Sequence, residues 1–432
     1  MNWIERVFKL QEHGTNVRTE LIAGLTTFLT MAYIIFVNPS ILGDAGMPKD
    51  AVFVATCLIA ALGTAVMAFY ANYPIAMAPG MGLNAYFAYA VVLHMGFTWQ
   101  AALGAVFVSG CLFLVVTLTG IRRMIIDGIP QSLRFAITVG IGLFLALIAL
   151  KSAGIVVGSE ATLVTLGDLH QPSVILASLG FLLMVALDRL RVRGAILIGI
   201  IAVTVASFFF GGNQFHGIFS APPSIEPTFL QLDIKTALTK GFLNVVLVFF
   251  LVELFDATGT LMGVARRAGL LVPGKMDRLS KSLLADSAAI FAGSLLGTSS
   301  TTAYVESASG VQAGGRTGLT ALTVSVLFLA CLFIAPLAGV VPAYATAPAL
   351  FFVGCLMMRD LTEIDWDDST ETIPAAITAL MMPFTYSIAT GLACGFISYA
   401  LIKLCTGRVR EVHWMVWIIA ALFMFKFAYV GG

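Results

Sequence analysis

The sequence PIAMAPGMGLNAYF (Pro74–Phe87) interrupts a long apolar run with two prolines and two glycines. A second interruption, GTSSTTAYVES (Gly297–Ser307), is rich in hydroxyl side chains and only weakly apolar. Neither stretch suits a plain membrane-spanning helix, because backbone groups that lose their helical partners at membrane depth must be satisfied by protein or by a water-filled cavity. We therefore expect both interruptions to line a cavity.

The rest of the chain reads as membrane-spanning helices. Of its 432 residues, 59% are hydrophobic and only 11% are charged, against about 25% charged in an ordinary soluble domain. Apolar runs long enough for a bilayer recur throughout, whereas the alternating pattern of a β-barrel does not, so the sequence predicts an all-α polytopic membrane protein. The fourteen predicted segments are residues 21–42, 51–71, 75–95, 99–119, 132–151, 172–190, 194–210, 236–262, 282–297, 299–313, 317–340, 343–358, 372–386 and 388–405. Hydropathy leaves open whether residues 414–430 form a fifteenth crossing or an interfacial tail.

The basic residues indicate the orientation, because short cytoplasmic loops carry an excess of Lys and Arg. With a cytoplasmic N-terminus, nineteen of the 24 basic residues fall on the cytoplasmic side. We therefore expect a multi-pass protein of the inner or plasma membrane whose N-terminus is cytoplasmic. The basic residues on the other side are Lys49, Lys151, Lys235 and Lys240, and Lys426 is unassigned.

The two interruptions hold the same place in each half of the chain, the third of seven segments. Such correspondence is typical of the inverted repeats of secondary transporters. We expect each interruption to yield a half-helix, beginning after Gly82 and after Thr302, with both N-terminal ends directed at one central site. The predicted divisions are an amphipathic N-terminus at 1–20, a first repeat at 21–210, an external loop at 211–235, a second repeat at 236–405 and a C-terminal tail at 406–432.

Three carboxylates lie deep in apolar surroundings, Glu253, Asp256 and Glu306, and Asp286 lies less deep. Acidic side chains inside a membrane are costly and usually functional. The spacing of Glu253 and Asp256 places them on one helical face, and a buried carboxylate without a counter-charge tends to take up a proton. We expect at least one of the three to carry a proton while the others bind N–H groups of the substrate. The alternative is a structural carboxylate that accepts hydrogen bonds from Ser or Thr hydroxyls.

Composition and spacing weigh against several other classes of function. A net charge of +1 offers no basic face for nucleic acid. Isolated histidines provide neither a nucleophile and base pair nor clustered metal ligands, so we expect neither an enzyme nor a metal or organic cofactor. An anion channel or exchanger remains an alternative, since opposed half-helix ends suit anions, although three carboxylates nearby would repel them.

The chain resembles the nucleobase:cation symporters, and specifically the azaguanine-type purine permease branch. This resemblance implies the uracil-permease-like fold of seven plus seven inverted helices, with interleaved core and gate domains and frequent homodimers through the gate. It also implies proton-driven uptake of purine bases. The strings that carry the resemblance are TELIAGLTTFLTMAY (Thr19–Tyr33), APGMGLNAYF (Ala78–Phe87), FDATGT (Phe255–Thr260), GTSSTTAYVESASG (Gly297–Gly310) and GGRTGLT (Gly314–Thr320).

The resemblance also implies which residues contact purine and proton. It places Tyr304 against the base, and the Pro-Gly-Met-Gly-Leu-Asn form of the first interruption favours guanine and hypoxanthine over adenine. The implied substrate-binding residues are Asn84, Glu253, Asp256, Thr301, Thr302, Tyr304 and Glu306. The implied proton-coupling residues are Asp256, Glu306 and Glu253.

Overall fold

The computed structural model describes residues 3–120, 122, 125, 128–210, 217–267 and 277–429. Helices account for most of these residues, and within them seven helices are long and apolar enough to cross a bilayer. The helical elements follow the order of the fourteen predicted segments. The predicted helical membrane fold is therefore confirmed.

The bounds of the elements are as follows. The first half contains α1 (Trp3–Phe8), α2 (Val17–Met31), α3 (Ile34–Asp44), α4 (Lys49–Val66), β1 (Met77–Pro79), α5 (Met81–Ala85), α6 (Trp99–Leu118), α7 (Gln131–Ser152), β2 (Val156–Ser159), β3 (Leu163–Leu166), α8 (Pro172–Arg189) and α9 (Ala195–Ser207). The second half contains α10 (Ile234–Thr239), α11 (Leu247–Arg267), α12 (Asp277–Leu296), β4 (Thr301–Ala303), α13 (Ser307–Gln312), α14 (Gly318–Cys331), α15 (Ala335–Val340), α16 (Ala343–Met357), α17 (Ser369–Phe384), α18 (Ile388–Cys405) and α19 (Trp414–Tyr429). Short π-helices lie at Met67–Ala71, Tyr86–His94 and Phe242–Val246.

Within the described ranges, four short strands add to the predicted all-α architecture. Strands β1 and β4 pair with each other, and β2 and β3 form an exposed antiparallel hairpin between α7 and α8. Each strand has only three or four residues, which is too short for the period-2 pattern to stand out in a hydropathy profile. The hairpin is rich in valine and threonine, residues that favour strands.

The helices pack in two groups. The first group contains α2–α6 and α10–α15, and the second contains α7–α9 and α16–α19. The groups meet where α9 contacts α2, α16 contacts α3, and α7 contacts α5 and α11. At the first of these contacts, Arg193 donates a hydrogen bond to Thr26 at 2.9 Å. Each group contains helices from both halves of the chain. That the groups are the core and gate domains stays a prediction.

A buried carboxylate links helix α2 to the second half of the chain. Glu20 lies on α2 with its side chain fully buried, and it accepts hydrogen bonds from the backbone N–H groups of Arg316 (2.9 Å), Thr317 (3.3 Å) and Thr320 (3.2 Å). These donors surround the start of α14, where helical N–H groups lack partners within the helix. Glu20 therefore caps α14 across the interface.

Both ends of the chain form helices. In α1, Phe8 is buried in a cluster with Ala68 and Leu319, so part of the predicted amphipathic face packs on the protein itself. Helix α19 packs on α18 through Phe423 and Phe396, with ring centroids 6.4 Å apart. Its 16 residues span about 24 Å at 1.5 Å per residue, which is less than a bilayer core of about 30 Å. Whether α19 crosses the membrane stays a prediction.

Some predictions concern residues outside the described ranges. The external loop at 211–235 is described from residue 217 onward, and it is irregular up to the start of α10. Among the basic residues assigned to the cytoplasmic side, Arg123 and Lys275 lie outside the described residues.

Candidate functional site

The two interruptions meet inside the first helix group. Strands β1 and β4 are antiparallel, with Met77 opposite Ala303, Ala78 opposite Thr302 and Pro79 opposite Thr301. All of these strand residues are buried. Each interruption thus satisfies the backbone groups that the other leaves free, which meets the requirement for non-helical chain at membrane depth. The predicted convergence of the interruptions is confirmed.

The half-helices begin at different residues from those predicted. Helix α5 begins at Met81 rather than after Gly82, because the chain turns into the helix directly after β1. Helix α13 begins at Ser307 rather than after Thr302, because strand β4 and a turn come first. Pairing with β1 holds the Thr301–Ala303 backbone extended and so delays the helix.

Gly80 permits the close approach of the two interruptions. A Cβ atom on Gly80 would lie 2.8 Å from the Thr302 methyl carbon Cγ2 and 3.7 Å from Asp256 Oδ2. The first of these distances is too short for an ordinary carbon contact. Glycine at this position therefore lets Thr302 and Asp256 come together at the end of β1.

Asn84 presents a buried and unused amide donor. Its side chain is fully buried, and Asn84 Oδ1 accepts a hydrogen bond from the Ser299 hydroxyl. Among the described residues, Asn84 Nδ2 has no hydrogen-bond partner, and neither does the Thr302 hydroxyl on the other interruption. Buried polar atoms are almost always paired, so this group of free donors and acceptors is suited to a polar ligand.

Asp256 and Glu306 flank the crossing of the strands. Asp256 lies on α11 beside Gly80, and it interacts electrostatically with both Glu306 and Asp286. Glu306 immediately precedes α13, and its Oε1 accepts a hydrogen bond of 2.6 Å from the hydroxyl of Tyr33. Both carboxylates are half-buried. The structure therefore brings them to one place.

The other predicted site residues mainly contact neighbouring helices and strands. Glu253 is buried against α6, where its Oε2 accepts a hydrogen bond of 2.8 Å from Ser109. Its carboxylate also interacts with the Ser300 hydroxyl of the second interruption. The Tyr304 hydroxyl donates to the Pro79 carbonyl at 2.6 Å, and so it links β4 to the end of β1. Thr301 faces Gly293 of α12, away from the side on which Thr302 meets Gly80.

Comparison with known proteins shows the family to which this chain belongs. Residues 18–394 match the sequence model Xan_ur_permease, described as a permease family. The chain belongs to this permease family. It is therefore a multi-pass membrane transporter and not an enzyme. Close relatives include adenine permeases and guanine/hypoxanthine permeases.

Two such relatives align over almost the entire permease. The adenine permease AdeQ of Escherichia coli is 50% identical over 98% of this chain and 96% of its own. The guanine/hypoxanthine permease PbuO of Bacillus subtilis is 47% identical over 97% of this chain and 99% of its own. The resemblance to nucleobase permeases is thus confirmed.

Solved structures show the fold of the permease. The transmembrane domain of a cyanobacterium bicarbonate transporter, BicA, superimposes with a TM-score of 0.65 over 88% of this chain and 97% of its own, at 16% identity. At that identity the likeness concerns the fold alone. It supports the inverted-repeat architecture of the permease.

One buried ion pair of the permease was not predicted from the sequence. Arg122 lies between predicted segments, yet its side chain is 2% exposed and its Nη2 lies 3.4 Å from Asp286 Oδ2. Asp286 is fully buried rather than shallower than the other acids. Hydropathy cannot place a long side chain that enters the protein from a loop, so no sequence signal identified this pair.

Two further polar residues were not predicted from the sequence. Tyr33 lies within a motif that supported the family resemblance, but only the fold brings its hydroxyl to Glu306. Asn38 lies in an otherwise apolar segment, and it donates hydrogen bonds to Thr56 at 2.7 Å and Thr298 at 2.9 Å. An asparagine followed by proline in such a segment was a signal that could have identified it.

A separate cavity lies in the second helix group. It is bounded by α7, α8 and α16, and its apolar lining includes Ala149, Phe181 and Phe351. None of the predicted site residues lines it. That the interruptions themselves line a cavity stays a prediction.

Proposed function

We propose that the permease imports purine nucleobases, guanine and hypoxanthine above all, together with protons. The observation that carries the proposal is the crossing of β1 and β4, where Thr302 and Asp256 meet at Gly80 and Asp256 interacts electrostatically with Glu306. Among the described residues, the Thr302 hydroxyl and the nearby Asn84 Nδ2, whose amide oxygen pairs with Ser299, lack partners. Hypoxanthine and guanine carry a ring N–H next to a carbonyl. A carboxylate can accept from the first and the Asn84 amide can donate to the second.

Proton coupling is expected because ionised carboxylates are costly to hold in this buried site. Purine bases are uncharged, whereas Asp256 and Glu306 repel each other when both are ionised. A proton on one of them removes this repulsion and lowers the cost of holding the site within the membrane. We therefore assign the coupling proton to these carboxylates, with Glu253 as a further candidate behind them.

Adenine is the second candidate substrate. An adenine permease is among the similar proteins. Adenine places an amino donor beside a ring-nitrogen acceptor, and a carboxylate and an amide can satisfy these as well if the base is turned. The anion alternative is weaker, because the carboxylates at the crossing disfavour a negative ligand and the likeness to a bicarbonate transporter concerns the fold alone.

The same proposal includes the arrangement in the membrane. The N-terminus is cytoplasmic, as the distribution of basic residues indicates, and the protein resides in the inner or plasma membrane. The second helix group forms the gate and pairs with that of a second copy, and the first group forms the core.

Uptake by the purified protein in liposomes tests the proposal. We expect an inward proton gradient to drive accumulation of labelled hypoxanthine, unlabelled guanine to compete, and uracil and sulfate to have no effect. A protonophore is the control, and it should abolish accumulation. Competition by adenine alone would transfer the assignment to the second candidate, and uptake of sulfate without any purine would overturn it.

A further inference from the structure

Arg122 is a buried cation at the edge of the first helix group. It lies between α6 and α7, yet only 2% of its side chain is exposed. Its Nη1 donates to the Leu283 carbonyl at 3.1 Å, and its guanidinium lies 4.3 Å from the centre of the Phe113 ring. Arginine is charged at every pH of interest. Such burial is therefore tolerated only because a carboxylate and an aromatic face replace water.

The carboxylate that faces Arg122 lies behind the substrate site. Asp286 is fully buried on α12, close to the backbone amide of Ala303 in β4. It also interacts electrostatically with Asp256. The charge of Asp286 is therefore felt at the carboxylate proposed to carry the proton.

Arg122 is the counter-charge among the groups that act on Asp286. Helix α12 packs against α4, α6, α11, β1, β4 and the π-helix at Met67–Ala71. Of the groups on or beside these elements, Arg122, Glu253 and Asp256 interact electrostatically with Asp286. The other titratable or charged residues with described side chains on or beside these elements are Cys57, Lys49 and Asp50 on α4, Cys111 on α6, Tyr70 on the π-helix, Tyr73 before β1, Tyr304 and Glu306 after β4, and Lys281 on α12 itself.

We propose that Arg122 is a positioning residue for transport, which holds Asp286 as an ion behind β4 so that the coupling proton goes to Asp256 or Glu306. This inference rests on the proposed function. With Arg122 in place, Asp286 is neutralised without a proton. Without Arg122, the buried Asp286 is accommodated at least cost when it is protonated, and it then competes for the proton that should accompany the substrate.

The effect of removing the cation depends on pH in a defined direction. In Arg122→Gln, Asp286 is protonated and therefore neutral at acid pH, so no unpaired charge is buried. As the pH rises, Asp286 ionises without a partner, and both the folded protein and the site are disturbed. Loss should therefore appear on the alkaline side. An arginine whose role did not involve the charge of Asp286 would instead cause the same loss at every pH.

The experiment compares wild type with Arg122→Gln, Arg122→Lys and Arg122→Gln/Asp286→Asn between about pH 5.5 and pH 8.5. Thermal unfolding of the purified proteins and hypoxanthine uptake in liposomes are both measured. We expect Arg122→Gln to reduce uptake less than about threefold at the acid end and on the order of tenfold or more at the alkaline end, with Tm falling in parallel. Arg122→Lys keeps the charge and should retain most of both. The double variant should lose the pH dependence of Tm, because the unpaired carboxylate is gone.

Arg316→Gln is the matched control. The Arg316 guanidinium donates to the backbone carbonyls of Val311 and Gly315, so its removal should act equally at every pH. An equal loss at all pH values in Arg122→Gln, or a lysine variant no better than the glutamine variant, would overturn the inference. If wild type takes up no purine, the proposed function fails, whereas the unfolding measurements contain no purine and still test the role of Arg122.

Discussion

At the scale of single residues, the two carboxylates at the strand crossing differ in their partners. Glu306 accepts a short hydrogen bond from the buried hydroxyl of Tyr33, and such a bond stabilises the charged form. Asp256 instead faces the charges of Asp286 and Glu306. We therefore assign the proton to Asp256 and substrate contact to Glu306.

Asp256→Asn and Glu306→Gln should separate these roles. We expect Asp256→Asn to bind hypoxanthine but to lose substrate-driven proton uptake, because the titrating group is gone. Glu306→Gln should bind about tenfold more weakly or worse, as for loss of a charged hydrogen bond. Proton uptake by vesicles and binding of labelled hypoxanthine provide the measurements. Glu226→Gln, an exposed carboxylate, is the control, and unchanged coupling in both site variants would end the assignment.

At the scale of elements, the crossing of β1 and β4 is held by few bonds. Each strand has three residues, and a pair this short has little stability of its own. Two flanking backbone bonds, Gly80 N–H to the Ser300 carbonyl and Tyr304 N–H to the Ala76 carbonyl, extend the pairing at 2.9 Å each. The Tyr304 hydroxyl adds a side-chain link to Pro79.

Tyr304→Phe should loosen this crossing. The Pro79 carbonyl loses its donor, and an unsatisfied buried acceptor costs about 1–3 kcal/mol. We expect a lower Tm and weaker hypoxanthine binding, although the aromatic ring stays. Thermal unfolding with and without hypoxanthine measures both effects. Tyr70→Phe removes a hydroxyl from a 48%-exposed tyrosine and should change neither, and a Tyr304→Phe protein that matches it would refute the link.

At the scale of the whole molecule, an ion network joins α17 to α18 within the second helix group. Lys403 lies 2.8 Å from Glu371 and 3.0 Å from Glu411, and Arg408 lies 2.8 Å from Glu411 and 2.6 Å from Asp368. These residues belong to α17, α18 and the segments that flank them. The network therefore links α17 to α18 within the second group.

Asp368→Asn tests the contribution of this network to stability. The hydrogen bond from Arg408 holds the pKa of Asp368 well below its usual range. A depressed folded-state pKa stabilises the protein above the ordinary Asp value of about 3.9, and this contribution disappears as the pH falls through the folded-state value. We expect the variant to have a lower Tm at neutral pH and the difference to narrow in acid. Asp367→Asn, in the same exposed loop, should behave as wild type, and a difference independent of pH would contradict the pairing.

Local chemistry sufficed to predict the segments and the places where two of them break. Apolar runs and the positions of proline, glycine and hydroxyl residues act within a few residues of the chain, so they can be read without knowing the fold. They placed most helices within a few residues of their observed bounds and singled out Asp256 and Glu306, which lie close enough to interact electrostatically. The predicted start of α13 was wrong because the helix is preceded by strand β4, which forms by pairing with the distant strand β1.

The partners of these residues depend on the fold. Ser299 rather than Ser300 meets Asn84, Tyr33 meets Glu306 from 273 residues away, and Arg122 enters the interior to face Asp286. The physical reason is that hydrogen bonds and ion pairs require atoms within a few ångströms, and residues far apart in the chain reach that distance only after the helices have packed.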